Sequence, residues 1–288
     1  MKFKYVLSFL VLAAAAVWLA VLGRPSQDEL HLVVCDVGQG DAILIFKGDT
    51  QIIVDGGPGK RILECLSKYI PYYDREIELV VLTHPQSDHY SGLIEVFKDY
   101  SVDSFLASEI DNSTQGYEVL KKVVGGTGVK VVNPTEGQNV SIGLISLDIL
   151  NGWQDDQNSE NVLGATSTKK DLNDYSIVFN LSFGEFDALF TGDIGPKISQ
   201  ELVKQGVIRD IDYLKIPHHG SKNGMTEEFL AASNPEMAVM SLGANNRFGH
   251  PHKEILDMLS NKNLKTFRTD LMGDIHIATD GSAWWVVK

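Results

Sequence analysis

Three titratable side chains, His84, Asp88 and His89, are crowded into the segment "LTHPQSDHYSG", directly after the apolar run "IELVVL". Two imidazoles and a carboxylate suit borderline divalent ions such as zinc or manganese better than calcium. Gln86 occupies the place where a further imidazole would extend the cluster. The segment therefore predicts a metal-binding turn at the end of a strand, although each histidine taken alone is equally typical of a hydrogen-bonded turn.

Similar polar residues follow other apolar runs along the chain. Asp55 ends "IIVD", Asp193 ends "LFTGD", and His218 and His219 lie in "IPHHGS". Strand ends on one rim of a sheet are where α/β proteins assemble sites from distant segments. Six of the eight histidines fall in three short segments, which argues against chance scatter. We therefore predict that one or two divalent metal ions, zinc or manganese, are held by five residues: His84, Asp88, His89, Asp193 and His219.

Such a centre predicts metal-assisted hydrolysis of a phosphodiester. A divalent ion lowers the pKa of a water molecule and stabilises the oxygens of an in-line displacement at phosphorus. In this interpretation Asp88 or Asp193 orients the attacking water, and a histidine steadies the charge that develops on the phosphate oxygens. That histidine comes from "GHPH", where His252 is the candidate, or from the "HHGSK" turn. The sequence leaves open whether His218 or His219 binds metal. Four residues are candidates for contacting the substrate, or alternatively form only the polar rim of a loop: His218, Ser221, Lys222 and His250.

The elements that must position these residues alternate between strand and helix. The runs "LHLVVCDVG", "DAILIFKG", "TQIIVDGG" and "IELVVLTH" are typical of strands, whereas "KRILECLSKYI" has apolar residues at helical spacing. In the second half, "SIVFNLSFG", "FDALFTGDI" and "IDYLKIPHHGS" predict strands and "PKISQELVKQG" predicts a helix. This alternation predicts an α/β fold with mixed sheets covered by helices. Residues 151–173 predict a long surface loop, in which Trp153 is a candidate for stacking on a substrate ring or for holding the loop.

The N-terminal residues predict a membrane or export segment. Lys2 and Lys4 precede an uncharged stretch, residues 5–23, which has the minimum length for a spanning helix. We predict that residues 1–29 form a hydrophobic helical membrane anchor, with the rest of the chain outside the membrane. A cleaved signal, and hence secretion, is the alternative. Residues 30–288 are predicted to form one hydrolase domain.

The composition bears on which partners the chain can bind and on whether its two cysteines are free or bonded. The 288 residues carry a net charge of −13, which disfavours tight or processive binding of a polyanion unless basic groups cluster locally. Cys35 lies in an apolar strand-like pattern and Cys65 in a helix-like one, so two buried free thiols are the expectation. A single disulfide is the alternative outside the cell.

Several motifs, taken in order, resemble one family. The segments "HPQSDH", "IIVDGG", "LFTGD" and "PHHGS" are similar to the metal-binding motifs of the metallo-β-lactamase superfamily. The segments "CDVGQGDAILI", "LKIPHHGSK", "GHPHKEIL" and "TFRTDLMGDIHI" resemble the extracellular metallo-β-lactamase domain of ComEC-type competence proteins, from about residue 30 to the C-terminus. The resemblance implies a four-layer αβ/βα sandwich with metals at the mouth of its two sheets. It also implies DNA as substrate, namely the strand that is not imported, and a separate DNA-uptake channel protein as a potential partner.

The chain departs from the superfamily pattern at two ligand positions. Gln86 replaces an imidazole, which predicts weaker metal binding on the His84 side. A later histidine is also absent, and "LNDYS" offers only Asn173 or Asp174. Two other functions therefore stay open. The chain could hydrolyse a small cell-envelope phosphodiester, such as phosphorylcholine on teichoic acid, or a lactam or thioester, or it could be a non-catalytic anchored metal-binding module.

Overall fold

Fifteen strands follow one another in the computed structural model, which describes residues 5–6, 8–13, 27–152 and 162–287. The strands are β1 Leu30–Val34, β2 Ala42–Lys47, β3 Thr50–Gly56, β4 Glu76–Leu82, β5 Ser101–Ala107, β6 Lys130–Val132, β7 Asn139–Ile142, β8 Ile145–Asn151, β9 Val178–Phe183, β10 Phe186–Phe190, β11 Tyr213–Lys215, β12 Met237–Met240, β13 Lys265–Arg268, β14 Ile275–Thr279 and β15 Trp284–Val286. The helices from residue 27 onward are α1 Arg61–Tyr69, α2 Ser87–Tyr90, α3 Leu93–Asp99, α4 Gln115–Thr127, α5 Pro196–Gln205, α6 Glu227–Ser233, α7 Lys253–Asn261 and α8 Thr269–Met272, with 3-10 turns at Leu172–Tyr175 and Pro217–Gly220.

The strands form two mixed sheets. The first has the order β15-β14-β1-β2-β3-β4-β5-β6, and the second has the order β13-β12-β11-β10-β9-β8-β7. In the first sheet the strands from β3 to β6 are parallel, and in the second the strands from β10 to β13 are parallel. The remaining neighbours pair antiparallel. Each sheet therefore has a parallel half whose strands all end at one edge.

Three hydrophobic clusters bind the sheets and helices into four layers. The central cluster lies between the sheets and contains strand residues such as Ile45 and Phe179. The second joins the other face of the first sheet to α1, α3 and α4, for example through Leu66. The third joins the second sheet to α5, α6 and α7 through residues such as Ile198 and Phe229. Burial of apolar area on both faces of both sheets is the main stabilising contribution.

Most of the predicted elements are confirmed, and two differences have local causes. The strand predicted in "IDYLKIPHHGS" stops at Lys215, because Pro217 begins a 3-10 turn that carries both histidines. Strand β7 was not predicted by any apolar run, since its residues "NVSI" are polar or half-buried at the edge of the sheet. Helix α5 begins at Pro196 and ends before Gly206, whose φ of 69° is the left-handed conformation that glycine favours.

The predicted N-terminal segment lies mostly outside the described residues. Residues 5–6 and 8–13 are helical and exposed, and the rest of the stretch 5–23 is not described. Within the described ranges, no helix has both the length and the apolar character needed to cross a bilayer. Trp153 also lies outside the described residues.

The two cysteines are bonded to each other. Cys35 directly follows β1, Cys65 lies in α1, and their sulfur atoms form a disulfide. The expectation of free thiols is therefore wrong. The sequence patterns indicate burial of each residue separately, whereas the packing of α1 against the first sheet brings the two Cα atoms to 5.8 Å, a separation typical of disulfides.

Removal of the disulfide should lower the stability of the domain. Because the bond joins residues 30 positions apart, loop-closure entropy predicts that a Cys35→Ala/Cys65→Ala variant loses roughly 3–4 kcal/mol of unfolding free energy. Urea unfolding followed by circular dichroism would measure this difference. Wild-type protein in reducing buffer is the matched control and should shift in the same direction. Equal midpoints for the variant and the oxidised wild type would contradict the prediction.

Candidate metal centre

The ends of parallel strands bring the candidate ligands to one edge of the molecule. His84 follows β4 in the first sheet, and Asp193 follows β10 in the second. His219 comes after β11 through the turn Pro217–Gly220, and the one-turn helix α2 carries Asp88 and His89. Because each strand belongs to the parallel half of its sheet, the polypeptide leaves all of them at the same end of the sandwich.

Asp55, at the end of β3, fixes the orientation of two imidazoles. Its Oδ2 lies 2.8 Å from Nδ1 of His89, and its carboxylate accepts hydrogen bonds from the backbone N–H and Oγ1 of Thr83 at 2.8 Å and 2.7 Å. Because Oγ1 of Thr83 donates its proton to Asp55, it is left to accept from Nδ1 of His84, 3.1 Å away. Both imidazoles are thus engaged through Nδ1, which leaves Nε2 as the available ligand atom.

His219 is oriented in the same way, and the free atoms of the cluster converge. Its Nδ1 lies 2.9 Å from the backbone oxygen of Ser241. Among the described side chains, the buried polar atoms without a hydrogen-bond partner include Nε2 of His84, His89 and His219 and Oδ1 of Asp193. Buried polar atoms are normally paired, because leaving one unpaired costs free energy. Three unpaired imidazole nitrogens, from residues that each share a metal-sized group with Asp193, indicate a place built for a cation.

The spacing of the free atoms fits a divalent ion. Oδ2 of Asp193 lies 3.4 Å from Nε2 of His89 and 3.3 Å from Nε2 of His219. Oδ2 of Asp88 lies 3.6 Å from the same atom of His219. Ligands arranged tetrahedrally at the usual zinc distances of about 2.0–2.1 Å are about 3.3–3.4 Å apart. The candidate ligands fall into overlapping groups of three whose ligand atoms lie within 4.8 Å of one another, among them Asp88, His89 and His219, and His84, His89 and Asp193. Each of these two groups can hold an ion.

A buried ion pair beside the centre could not be recognised from the sequence patterns. Nζ of Lys215 lies 2.6 Å from Oδ2 of Asp41, and both side chains are almost fully buried. Oδ1 of Asp41 lies 3.2 Å from Nδ1 of His219, so the pair reaches a candidate ligand directly. Gly40 lets the backbone before Asp41 lie against α2, because a Cβ at that position would overlap the backbone oxygen of Asp88. The available signals were the aspartate that ends "DVGQGD" and the single lysine within an apolar strand.

Opposite charges set the ionisation of the metal-free cluster. Burial opposes charge on His89 and His219, but neighbouring carboxylates, chiefly Asp193, raise the pKa of both imidazoles well above the usual value. Burial would likewise raise the pKa of Asp193, but the two imidazoles hold it well below its ordinary value. Burial and the proximity of His89 lower the pKa of His84 to about 3, which keeps it neutral. The cluster thus attracts positive charge, either as protons or as a metal ion that displaces them.

The backbone at the centre is strained at the residues that aim side chains inward. Asp55, His218 and His219 have φ values of 59°, 50° and 54°, in the left-handed region that costs non-glycine residues roughly 1–2 kcal/mol each. Such strain collects at functional sites, where the surrounding structure enforces it. Because of these backbone angles, the side chains of the two adjacent histidines have different surroundings. His219 is buried in the cluster, whereas the His218 side chain is 28% exposed and its Nε2 lies 4.0 Å from Oδ2 of Asp193.

Gln86 and Asn173, from the two segments in which the resemblance implies histidines, form a hydrogen bond with each other. Nε2 of Gln86 donates to Oδ1 of Asn173 at 2.6 Å, and Asn173 is nearly buried. Asp174, the other oxygen donor considered, instead pairs with Lys197 at 3.3 Å. Amide groups are weak ligands for zinc, and these two are already hydrogen-bonded to each other. The side of the centre next to His84 therefore has no further imidazole in the described chain to hold a second ion firmly.

The cluster opens into a cleft of about 630 Å³, which receives only some of the predicted substrate contacts. His218 and His250 line the cleft, together with Asp88 and Asp193. Ser221, Lys222 and His252 are not part of its lining in the described chain. The hydroxyl of Ser221 is buried in its own turn, where it accepts from the backbone N–H of Asn223. His252 precedes α7, and its Nδ1 accepts from the backbone N–H of Lys222 at 3.3 Å.

Comparison with protein sequences identifies relatives of the whole described domain. A sequence model of the metallo-beta-lactamase superfamily matches residues 35–243. The chain is 24% identical to ComE operon protein 3 of Bacillus subtilis, over 87% of this chain and 33% of that protein. It is 27% identical to Recombination protein 2 of Haemophilus influenzae, over 88% of this chain and 29% of that protein, and 24% identical to Competence protein ComA of Neisseria gonorrhoeae, over 86% and 32%. The predicted resemblance to ComEC-type competence proteins is confirmed, and the chain spans about a third of the length of these relatives.

Solved structures share the fold. The metallo-beta-lactamase fold protein YhfI from Bacillus subtilis aligns with a TM-score of 0.57 at 13% identity, covering 90% of this chain and 100% of that one. Igni18, a metallo hydrolase from Ignicoccus hospitalis, aligns with a TM-score of 0.53 at 14% identity, covering 90% of this chain and 99% of that one. CmlA, a diiron β-hydroxylase from Streptomyces venezuelae, aligns with a TM-score of 0.54 at 16% identity, covering 91% of this chain and 55% of that one. At these identities the likeness shows the fold alone.

Metal content should report the effect of the paired amides. We expect the purified protein to retain about one divalent ion after dialysis, and a Gln86→His/Asn173→His variant to retain more, because two added imidazoles create a further site. Inductively coupled plasma mass spectrometry would give the stoichiometry. A Gln205→His/Asn261→His variant, with both changes at exposed positions, controls for added histidines and should match the wild type. Two firmly retained ions in the wild type would contradict the prediction.

The Asp41–Lys215 pair offers a second test. Lys215→Met leaves a buried carboxylate without its cation, and breaking a buried pair costs roughly 3–5 kcal/mol of unfolding free energy. The double variant Asp41→Leu/Lys215→Met removes both charges and should be more stable than Lys215→Met alone. Urea unfolding with chelator present would measure all three proteins. Excess zinc should reduce the loss in Lys215→Met, since the ion supplies positive charge. A double variant less stable than the single one would contradict this account.

Proposed function

The chain belongs to the metallo-β-lactamase superfamily, and on that premise we propose that it is a metal-dependent phosphodiesterase that cleaves DNA outside the membrane. The convergence of the free Nε2 atoms of three buried histidines with the Asp193 carboxylate carries the proposal. An ion in this position faces a cleft large enough for a substrate phosphate and its neighbouring groups.

The proposed ligands are the residues whose spacing suits an ion: Asp88, His89, Asp193 and His219, with His84 beside them. When bound, a divalent ion such as zinc or manganese would polarise the substrate phosphate and lower the pKa of a nearby water. The Asp55 and Ser241 hydrogen bonds hold two of these imidazoles in the tautomer that presents Nε2, so the centre needs little rearrangement.

Protein groups at the cleft surface perform the remaining steps. The Asp88 side chain is 28% exposed, in contrast to 2% for Asp193, so Asp88 is the carboxylate that can accept a hydrogen bond from an attacking water. His218 and His250 line the cleft and can donate to the non-bridging phosphate oxygens. Water adds across one P–O ester bond, the proton it loses ends on the departing alcohol, and a phosphate monoester remains. His252, held in its turn, is left out of this mechanism.

DNA is the substrate that the relatives favour. Two of the matched proteins are named for competence and one for recombination, by their operon or protein names, and both processes act on DNA. The chain covers only about a third of each relative, so the activity is proposed for this domain and not for uptake itself. A separate DNA-uptake channel protein is the partner that we propose for such an activity.

The disulfide supports a location outside the cytoplasm. Disulfides persist mainly in oxidising compartments, and the Cys35–Cys65 bond links two core elements of the domain. We propose that residues 1–29 hold the protein at the membrane, or direct its secretion, and that residues 30–288 form the extracytoplasmic hydrolase domain. The basic residues Lys2 and Lys4 before the apolar stretch fit the first arrangement.

A small cell-envelope phosphodiester is the second candidate substrate. The net charge of −13 repels long polyanions and favours a compact substrate such as a phosphorylcholine ester. Rates on single-stranded oligonucleotides and on small diesters, measured with the same metal-loaded preparation, distinguish the two. Metal binding without turnover of either class would instead indicate a metal-binding module.

Substitution of the cluster carboxylates tests the function directly. We expect Asp88→Ala and Asp193→Ala each to lower manganese- or zinc-dependent cleavage of a single-stranded oligonucleotide by about a hundredfold or more, because each removes a ligand. Gel analysis of labelled DNA, with bis-p-nitrophenyl phosphate alongside, would follow the loss. Asp49→Ala, an exposed aspartate between β2 and β3, is the control and should cleave normally. Undiminished turnover in both cluster variants would refute the metal role.

A further inference from the structure

We propose that Phe248 and Arg247 form a nucleotide subsite at the mouth of the metal centre, where a nucleobase stacks on Phe248 and the adjacent phosphate pairs with Arg247. The inference deepens the proposed function, on which it rests, by naming what the cleft recognises next to the scissile phosphate. Neither residue is part of the metal cluster, and both line the cleft into which the cluster opens.

The connection between β12 and α7 holds Phe248 at the surface. The ring is 49% exposed, whereas the preceding Leu242 is fully buried. Single exposed apolar residues are ordinary on protein surfaces, so exposure alone indicates nothing. Phe248 differs because it lies at the edge of a cleft with a catalytic cluster at its base, where an exposed aromatic face offers stacking area to a substrate.

Asn246 makes this connection rigid. Its Oδ1 accepts from the backbone N–H groups of Phe248 at 3.2 Å and His250 at 3.0 Å. Its Nδ2 donates to the backbone oxygens of Gly243 at 3.0 Å and His250 at 2.7 Å. Four hydrogen bonds from one side chain fix the turn, so the exposed ring is presented in a set position and loses little conformational entropy when a ligand binds.

A series of rings connects Phe248 to the metal cluster. Its ring stacks on His250 with a centroid separation of 5.7 Å and an interplanar angle of 25°. The His250 ring lies 5.7 Å from that of His218 and 6.3 Å from that of the candidate ligand His219. Two ring-to-ring steps therefore separate Phe248 from the centre. A phosphate held at the centre can thus carry its attached base to the Phe248 ring.

Arg247 places a positive charge at the cleft edge of a chain whose net negative charge is unfavourable for binding a phosphate. Its guanidinium lies 5.1 Å from the centroid of the Phe248 ring, and none of the ion pairs within the described residues involves it. In a chain with a net charge of −13, a guanidinium that no described carboxylate neutralises gives the cleft edge a local attraction for a phosphate, which it can contact with two parallel N–H donors. The combination of stacking face and cation is typical of single-stranded nucleic-acid sites, in which base stacking is tolerant of sequence.

Binding and cleavage together test the subsite. The probes are a thymidine oligonucleotide of about 12 residues and an abasic oligonucleotide of the same length, both with hydrolysis-resistant phosphorothioate linkages for binding and ordinary linkages for cleavage. With metal-loaded protein, Phe248→Ala should weaken binding of the thymidine probe by about tenfold and change binding of the abasic probe by less than about twofold. Phe248→Trp should restore affinity. Arg247→Ala should weaken both probes, because both carry phosphates.

The outcomes separate this inference from the proposed function. Tyr72→Ala, which removes an exposed aromatic ring from the turn after α1, is the control and should bind both probes like the wild type. Base-dependent binding that is lost in Phe248→Ala, without cleavage of the ordinary probes by the wild type, would keep the subsite and overturn the proposed cleavage of DNA. Equal effects of Phe248→Ala on the two probes, no effect on either, or a wild type that binds neither would overturn the subsite.

Discussion

The burial of three carboxylates at one end of the sandwich is the constraint on which the site depends. Asp41, Asp55 and Asp193 are almost completely removed from water. An uncompensated charge in such surroundings is strongly unfavourable, so each carboxylate needs a positive or hydrogen-donating neighbour. Lys215 serves Asp41, and the Nδ1–H of His89 with two donors of Thr83 serves Asp55. Asp193 alone depends on the atoms that face the cluster, which makes it the natural partner of a cation.

This assignment of charges explains why the surrounding hydrogen bonds are arranged as they are. Lys215 is paired with the Asp41 carboxylate. The Asp193 carboxylate, which has no such lysine within the described chain, faces the Nε2 atoms of His89 and His219, and it is there that a cation would be most strongly attracted. The backbone oxygen of Ser241 and the carboxylate of Asp55 hold the rings with the Nε2 side inward. The left-handed backbone of His218 and His219 is the cost of this arrangement, and the packing of the two sheets maintains it.

The sequence patterns indicated the mixed sheets and the segments that the structure brings together, for identifiable reasons. Apolar runs that end in histidine or aspartate mark buried strands whose carboxyl ends meet, so Asp193 and His219 could be grouped without coordinates. Contacts between elements distant along the chain were harder. The pairing of Cys35 with Cys65, and of Asp41 with Lys215, depends on how a helix or turn packs across a sheet, and neither pattern of residues specifies that distance. The choice between His218 and His219 depended on two backbone angles that composition does not reveal.

The hydrogen-bonded amides of Gln86 and Asn173 affect how far metal ions, and how far protein donors, can stabilise charge on a reacting phosphate. A pair of metal ions can stabilise both the attacking and the departing oxygen of a displacement at phosphorus. A centre that held one ion would leave part of that charge to the protein, and the hydrogen bond between the Gln86 and Asn173 amides favours that case. The donors that line the cleft include His218, His250 and, at its edge, Arg247. These three donors come from the turn after β11 and the connection after β12, on the side of the second sheet. Three of the five candidate ligands, His84, Asp88 and His89, follow β4 of the first sheet. The two sheets must therefore keep their relative position for binding and chemistry to act on the same phosphate, and the continuous core between them provides that rigidity.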